Sequence, residues 1–410
     1  MKRNKRSLIS NTVSLYLMNF VKLVFPIITL PYLTRVLTIE LYGTVTFIKS
    51  VLAYVVLIID FGFMLSATKK IVLADGDLKM ISQITSYTLM ARICLGFLSA
   101  IGYILLIFFL PIMRVNLSFT ILYLIAFLLN IFIFDFLFRG IEKMYLVAVP
   151  YVVAKTISTI FTLMLVKSDN ELLLIPAFEF LGNIIAVIIS LYFVLRLEIK
   201  FSFNSFKNIW NEIKESSVYF VSNFATTMLG AMTIIIVGIK LPTDKVAIWG
   251  ICMQLLSAAK SLYNPISNSL YPYMIKSKSI SLINKISLYF TIPMVLGCTT
   301  VAMYGKQIIM IIAGPSYQNG GEVLITLLPA FVFSFFSMIY GWPVLGAINK
   351  EKETTRTTVL AGLFQMLIIF ILILTNKFSL VSVAFSCSLS EFLLFILRVV
   401  VIRKNINHFH

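Results

Sequence analysis

Phe201-Ser202-Phe203-Asn204-Ser205-Phe206-Lys207-Asn208-Ile209-Trp210-Asn211-Glu212-Ile213-Lys214 divides the chain. Phe203, Phe206, Trp210 and Ile213 recur at helical intervals, so the stretch predicts a short helix with one apolar face. Lys207 and Lys214 fall elsewhere on its surface. Such a helix suits the inner surface of a membrane. It belongs to the longest polar connection, about 197–215, and apolar runs flank it on both sides.

A membrane-crossing helix needs about 20 mostly apolar residues. Six runs of that kind precede the connection, at roughly 11–33, 43–66, 83–110, 117–138, 144–166 and 172–195. Six follow it, at roughly 216–239, 246–271, 287–311, 323–347, 358–375 and 379–401. The expected fold is therefore all-α and integral to a membrane, with twelve transmembrane helices in two six-helix lobes. The lobes would be 1–196 and 216–410, joined by an amphipathic linker at 197–215. Six and six, each starting on the same side, is the arrangement of parallel repeats. Direct repetition is faint: Tyr42-Gly43 and Trp249-Gly250 share an aromatic-glycine step.

Composition agrees. Of 410 residues, 60% are hydrophobic and 12% charged, with a mean hydropathy of +0.97. Soluble domains carry about 25% charged residues, so a soluble enzyme or a disordered chain is excluded. The formal charge is +17, from 34 Lys and Arg against 17 Asp and Glu. In a membrane protein such an excess marks cytoplasmic loops first. With the N-terminus inside, 22 basic residues fall on inner segments, including Lys2, Arg3, Arg139 and Arg398. Only seven fall outside: Arg35, Arg114, Lys167, Lys240, Lys245, Lys306 and Lys377. Both termini are thus expected in the cytoplasm.

Cys94, Cys252, Cys298 and Cys387 stand alone in apolar runs, and His408 and His410 are the only histidines. Neither a metal framework nor histidine catalysis is expected. No P-loop or dinucleotide fingerprint occurs, so no cofactor is expected.

Five cations remain within spans: Lys22, Lys49, Arg92, Lys155 and Lys260. Each central charge costs about 2.5–3.5 kcal/mol to insert. They must snorkel, pair or face water, and a hydrated chamber biased to the first six spans would suit an anion. Glu179 and Glu391 are the acids at mid-depth, each able to pair with a lysine or to couple transport to an ion. Asp60 and Asp135 lie nearer inner ends, with Arg139 one turn from Asp135. Polar stripes extend the lining: Asn19-Lys22-Pro26-Thr29 in span one, Ser216-Tyr219-Asn223-Thr226-Gly230-Thr233 in span seven, and Gln254-Ser257-Ser261-Asn264-Asn268 in span eight. Small and hydroxylated residues also pack helices in lipid, but several amides on one face favour a wet cavity. Pro26 and Pro265 each free a backbone carbonyl and interrupt their helices.

Residues 11–62 contain Pro31-Tyr32-Leu33-Thr34-Arg35-Val36-Leu37, Glu40-Leu41-Tyr42-Gly43 and Asp60-Phe61-Gly62. Later come Ala313-Gly314-Pro315-Ser316-Tyr317 and Gly341-Trp342-Pro343-Val344-Leu345-Gly346-Ala347. Taken over the whole chain, this resembles the Wzx-type O-antigen flippases, within the multidrug/oligosaccharidyl-lipid/polysaccharide exporter superfamily. The resemblance implies two six-helix lobes in a V, alternating access and no enzymatic activity. It also implies a cargo, an undecaprenyl-pyrophosphate-linked oligosaccharide moved from the cytoplasmic to the periplasmic leaflet of a bacterial inner membrane. Lysines in a hydrated cleft would offset the lost hydration of a pyrophosphate, and the polyprenyl tail would stay in membrane lipid. A polymerase and a chain-length regulator are candidate partners; nucleic acid is not. The alternatives are a multidrug exporter, which should present carboxylates to its chamber, a lipid II-type flippase, and a polysaccharide polymerase. A polymerase would resemble proteins with a long, arginine-bearing outer loop, which this chain lacks.

Overall fold

The computed structural model describes residues 5–202, 205–228 and 230–409. Phe203, expected on the linker's apolar face, and Lys2 and Arg3, used for orientation, lie outside the described residues, as do the side chains of Thr226 and Asn268. Among the described residues every regular element is helical, and eleven helical stretches are long and apolar enough to cross a membrane. The run expected as span seven is divided. Phe206–Met228 is one helix, Gly230 leaves helical geometry, and Ala231–Lys240 follows. The linker helix and the start of that span are therefore continuous. Lys207, Glu212, Lys214 and Glu215 make this helix too charged to count as a span by composition.

The chain separates into two compact units, residues 1–224 and 225–410. In unit 1, span one (Lys5–Val36) runs unbroken through Pro26 and Pro31. Tyr32 at its outer end donates to the carbonyl of Val166, and Asp169 accepts from the Thr38 amide, which fixes span one beside span five (Tyr145–Leu165). Span two breaks at Phe61 and Gly62, both at positive φ, between Ile39–Asp60 and Phe63–Leu73. The helix Phe206–Met228 sits in that break. A β-carbon on Gly62 would lie 2.6 Å from Cβ of Tyr219 and 3.0 Å from the Ser216 carbonyl, so glycine permits the approach. Ser66 and Ser216 hydrogen-bond at 2.6 Å, and Phe61 stacks on Phe220 at 4.3 Å.

Lys70 bridges Glu212 at 2.6 Å and Glu215 at 2.8 Å. Burial pushes the Glu212 carboxyl above the usual range, and the Lys70 ammonium opposes that shift. The face that packs on protein thus bears Ile209, Glu212 and Ser216, whereas Phe206 and Trp210 are 84% and 66% exposed. Phe206 and Trp210 thus stay largely exposed, as a membrane-lying face requires, while Ile213 is half-buried.

In unit 2, span eight breaks at Leu262 and Tyr263, between Thr243–Ser261 and Asn264–Ser277. Pro265 opens the second helix, where its missing N–H costs nothing. The stripe from Gln254 to Asn268 is consequently shared by two helices. The two units repeat one turn closely. Lys143 N–H bonds the Phe138 carbonyl at 2.9 Å, and Lys350 N–H bonds the Leu345 carbonyl at 2.9 Å. Glu142 and Asn349, one residue earlier, share a φ of 58°. Each turn ends the fourth span of its unit; the same left-handed ending also closes the helices before Glu198 and Asn376.

Candidate functional site

Spans five and six build the centre of unit 1. Gly182 on span six (Leu174–Arg196) lets the backbones close in, since a β-carbon there would lie 2.5 Å from the Ala154 carbonyl. Lys155, the next residue after Ala154, then reaches Glu179, one turn before Gly182. Its Nζ lies 2.9 and 2.8 Å from the two carboxylate oxygens. Glu179 is only 9% exposed. Removing either partner would strand the other as a buried charge.

Lys49 faces the same carboxylate electrostatically, and its Nζ lies 5.7 Å from the centre of the buried Tyr123 ring. Lys22 lies 5.1 Å from the centre of the Tyr151 ring, one turn before Lys155. These two ammonium groups rest on aromatic faces, which attract cations without neutralising them. Glu179 therefore answers Lys155 and Lys49, while Lys22 faces Asp135.

A second level lies along the break of span four, between Leu117–Leu128 and Asp135–Gly140. Arg92, 7% exposed, donates to the Ile133 carbonyl at 2.6 Å and lies over Phe136. Asp60 and Asp135 act on it electrostatically. Asp135 also interacts with Arg139 and Lys22, so the two levels are linked through Lys22. The sequence count put Arg139 on an inner loop. It instead belongs to the half-helix Asp135–Gly140 and is partly buried.

Span six contributes a further polar face, not among the stripes expected from the sequence. Glu179, Asn183 and Ser190 recur at helical spacing; Asn183 donates to the Ala126 carbonyl and Ser190 accepts from the Phe134 amide. The spacing of those three residues was the available signal.

Unit 2 holds one pair at comparable depth. Lys260 on span eight reaches Glu391 on span twelve (Leu380–Lys404) at 2.7 Å. Gln365 and Cys387 hydrogen-bond nearby. Arg398, also assigned to the inner side by the charge count, is 7% exposed within span twelve. Hydropathy could not reveal this, since its position near the helix end reads as a membrane boundary. Of the amide lining, Asn19 and Asn264 are exposed, and Asn223 and Gln254 are half-buried.

The excess of cations over carboxylates in unit 1 is of the sign an anion would need, and among the described residues these elements bring together no nucleophile with a paired base. Residues 8–278 match the family model described as "Polysaccharide biosynthesis protein". The "Putative O-antigen transporter" of Shigella dysenteriae is 28% identical over 374 residues, covering 88% of this chain and 92% of that protein. Among solved structures, "Lipid II flippase MurJ, inward closed conformation" superposes with a TM-score of 0.71 at 13% identity, covering 96% of this chain and 87% of that one. An inward-facing "multidrug resistance MATE family transporter of the MOP superfamily" gives 0.66 at 12% identity, covering 93% and 98%. The fold is that of these proteins, and the chain belongs to the polysaccharide biosynthesis protein family.

Proposed function

We propose that this protein flips an undecaprenyl-pyrophosphate-linked oligosaccharide from the cytoplasmic to the periplasmic leaflet by alternating access, for O-antigen or other surface-polysaccharide assembly. Both termini then lie in the cytoplasm, as the distribution of basic residues requires. One observation carries the reading: in unit 1 the exposed Lys22 and the half-buried Lys49 rest on tyrosine rings, and Glu179, the carboxylate that Lys49 faces, is already engaged by Lys155. A pyrophosphate bound there supplies the missing negative charge, and the lysines replace its lost hydration. A multidrug exporter would need carboxylates in surplus there. The relative named an O-antigen transporter and the fold shared with a lipid II flippase support a lipid-linked saccharide as cargo.

Asn19, Asn223, Gln254 and Asn264 would line the sugar path with hydrogen-bonding groups. Lys260 and Glu391 would serve as a neutral pair in unit 2. Glu179 and Glu391 are the candidates for ion coupling, because protonating either would leave its lysine unpaired and alter the charge offered to cargo. Polymerase and chain-length regulator would act on the product across the membrane.

The test is complementation of a bacterium lacking its own flippase. Lys22→Ala should abolish surface polysaccharide at an unchanged protein level, since Asp135, the carboxylate that Lys22 faces, keeps Arg139 and Arg92. Normal polysaccharide in that variant would remove the lysine from the site.

A further inference from the structure

Both units interrupt their fourth span, and both close the interruption with an arginine from another helix of the same unit. In unit 1 the helix tightens through Leu129–Phe132, and Ile133 and Phe134 leave helical geometry before Asp135–Gly140. In hydrocarbon such a break exposes peptide groups that no water serves. Here the peptide between Ile133 and Phe134 is served from both sides. Arg92 Nη1 donates to its carbonyl at 2.6 Å, and its N–H donates to the fully buried Ser190 Oγ at 3.1 Å.

In unit 2, Leu328–Ile339 runs into the wide π-turn Tyr340–Leu345, where Gly341 is non-helical. Arg398 Nη1 donates to the carbonyl of Ser337, in the last turn before the break. Its Nη2 donates to Thr358 Oγ1 at 3.0 Å, and its Nε faces Thr357 Oγ1 at 3.5 Å. The guanidinium fills the space where a side chain on residue 341 would point: a β-carbon on Gly341 would lie 2.8 Å from Nη1.

We propose that Arg92 and Arg398 are positioning residues that fix the broken fourth spans of the two units, and that neither binds cargo. Arginine suits the task because its rigid fork serves a carbonyl and neighbouring oxygens together, while a lysine offers one point charge. Arg92 thereby places Asp135 and Arg139, which interact with Lys22. Arg398 holds the turn that carries Trp342 and Pro343. The transport part of this inference rests on the flippase reading; the structural part does not.

Hydrogen exchange on the full chain in lipid nanodiscs, without cargo, tests it. Arg92→Gln should speed exchange at 133–140 by about tenfold or more and leave 339–348 within about twofold; Arg398→Gln should do the reverse. Arg→Lys at each position should be intermediate. In complementation, each Gln variant should lower polysaccharide assembly and each Lys variant should recover part of it. Unchanged exchange at the variant's own break, with assembly lost, would make that arginine a cargo ligand and overturn the proposal. Faster exchange with wild-type assembly would overturn its functional half. If a Gln variant fails to accumulate, the Lys variant against wild type decides by the same two readouts. Failure of the wild-type chain to restore surface polysaccharide would sink the flippase reading and leave the exchange result standing.

Discussion

Units 1 and 2 share a backbone plan and differ in charge. Each breaks its second and fourth spans, and each ends the fourth with the same left-handed turn at Glu142 or Asn349. Yet unit 1 gathers Lys22, Lys49, Arg92, Arg139 and Lys155 about Asp60, Asp135 and Glu179, whereas unit 2 sets Lys260 and Arg398 against Glu391. Similar helix breaks thus sit in two units of different charge. The breaks rest on satisfied peptide groups, which tolerate many sequences. The charge asymmetry rests on a few side chains, which a transporter can place where the cargo needs them.

The sharpest way to break this comparison is to strand the charges. Glu179→Ala leaves Lys155 and Lys49 without their shared carboxylate and should destabilise by about 3–5 kcal/mol, read as a fall in unfolding temperature in detergent. Lys155→Ala/Glu179→Ala should regain most of that loss. Glu391→Ala should act in the same direction but more weakly, because Lys260 has no second lysine beside it and its carboxylate is more exposed than Glu179. Equal losses would erase the difference between the units.

A smaller effect tests the packing behind the pair. Gly182→Val should force spans five and six apart and cost about 1–3 kcal/mol by overpacking. Polysaccharide assembly should fall with it, as Lys155 loses its reach to Glu179.

The smallest effect concerns the linker. Burial raises the Glu212 carboxyl above its unfolded value, so the folded chain binds more protons at that site. Its contribution to stability is greatest at low pH and declines as pH rises through the folded value. Acidification from about pH 7 to about pH 5 should therefore leave the helix Phe206–Met228 docked on Phe63–Leu73, with no gain in protease cleavage of the linker. Glu212→Gln should flatten whatever pH dependence is seen. Release on acidification would show that the ion pair with Lys70 outweighs the burial.

Much of this was legible in the residues. Long apolar runs forced the all-helical membrane fold, and Pro265 marked where span eight restarts. The deep lysines announced themselves by their cost in hydrocarbon. Pairing was harder to see. Lys155 meets Glu179 only because Gly182 admits a close approach, and Lys260 meets Glu391 across distant stretches of chain. The break at Ile133–Phe134 carries no proline or glycine, so nothing local signals it. Its cause is tertiary, through Arg92 and Ser190. The linker was legible in part: Phe206 and Trp210 stay exposed on the apolar face expected to meet the membrane, but the face the protein buries, with Ile209, Glu212 and Ser216, is polar enough to give no packing signal.

The central claim is that unit 1 engages the phosphate end of the cargo. Binding of undecaprenyl pyrophosphate to the purified chain in nanodiscs tests it most directly, with Lys22→Ala and Lys49→Ala compared against Lys260→Met/Glu391→Met. The account predicts that each unit 1 variant weakens binding by about tenfold or more, the worth of one charge-assisted contact, while the unit 2 double variant stays within about threefold of wild type. Wild-type affinity in both unit 1 variants, or an equal loss in the unit 2 variant, would contradict it.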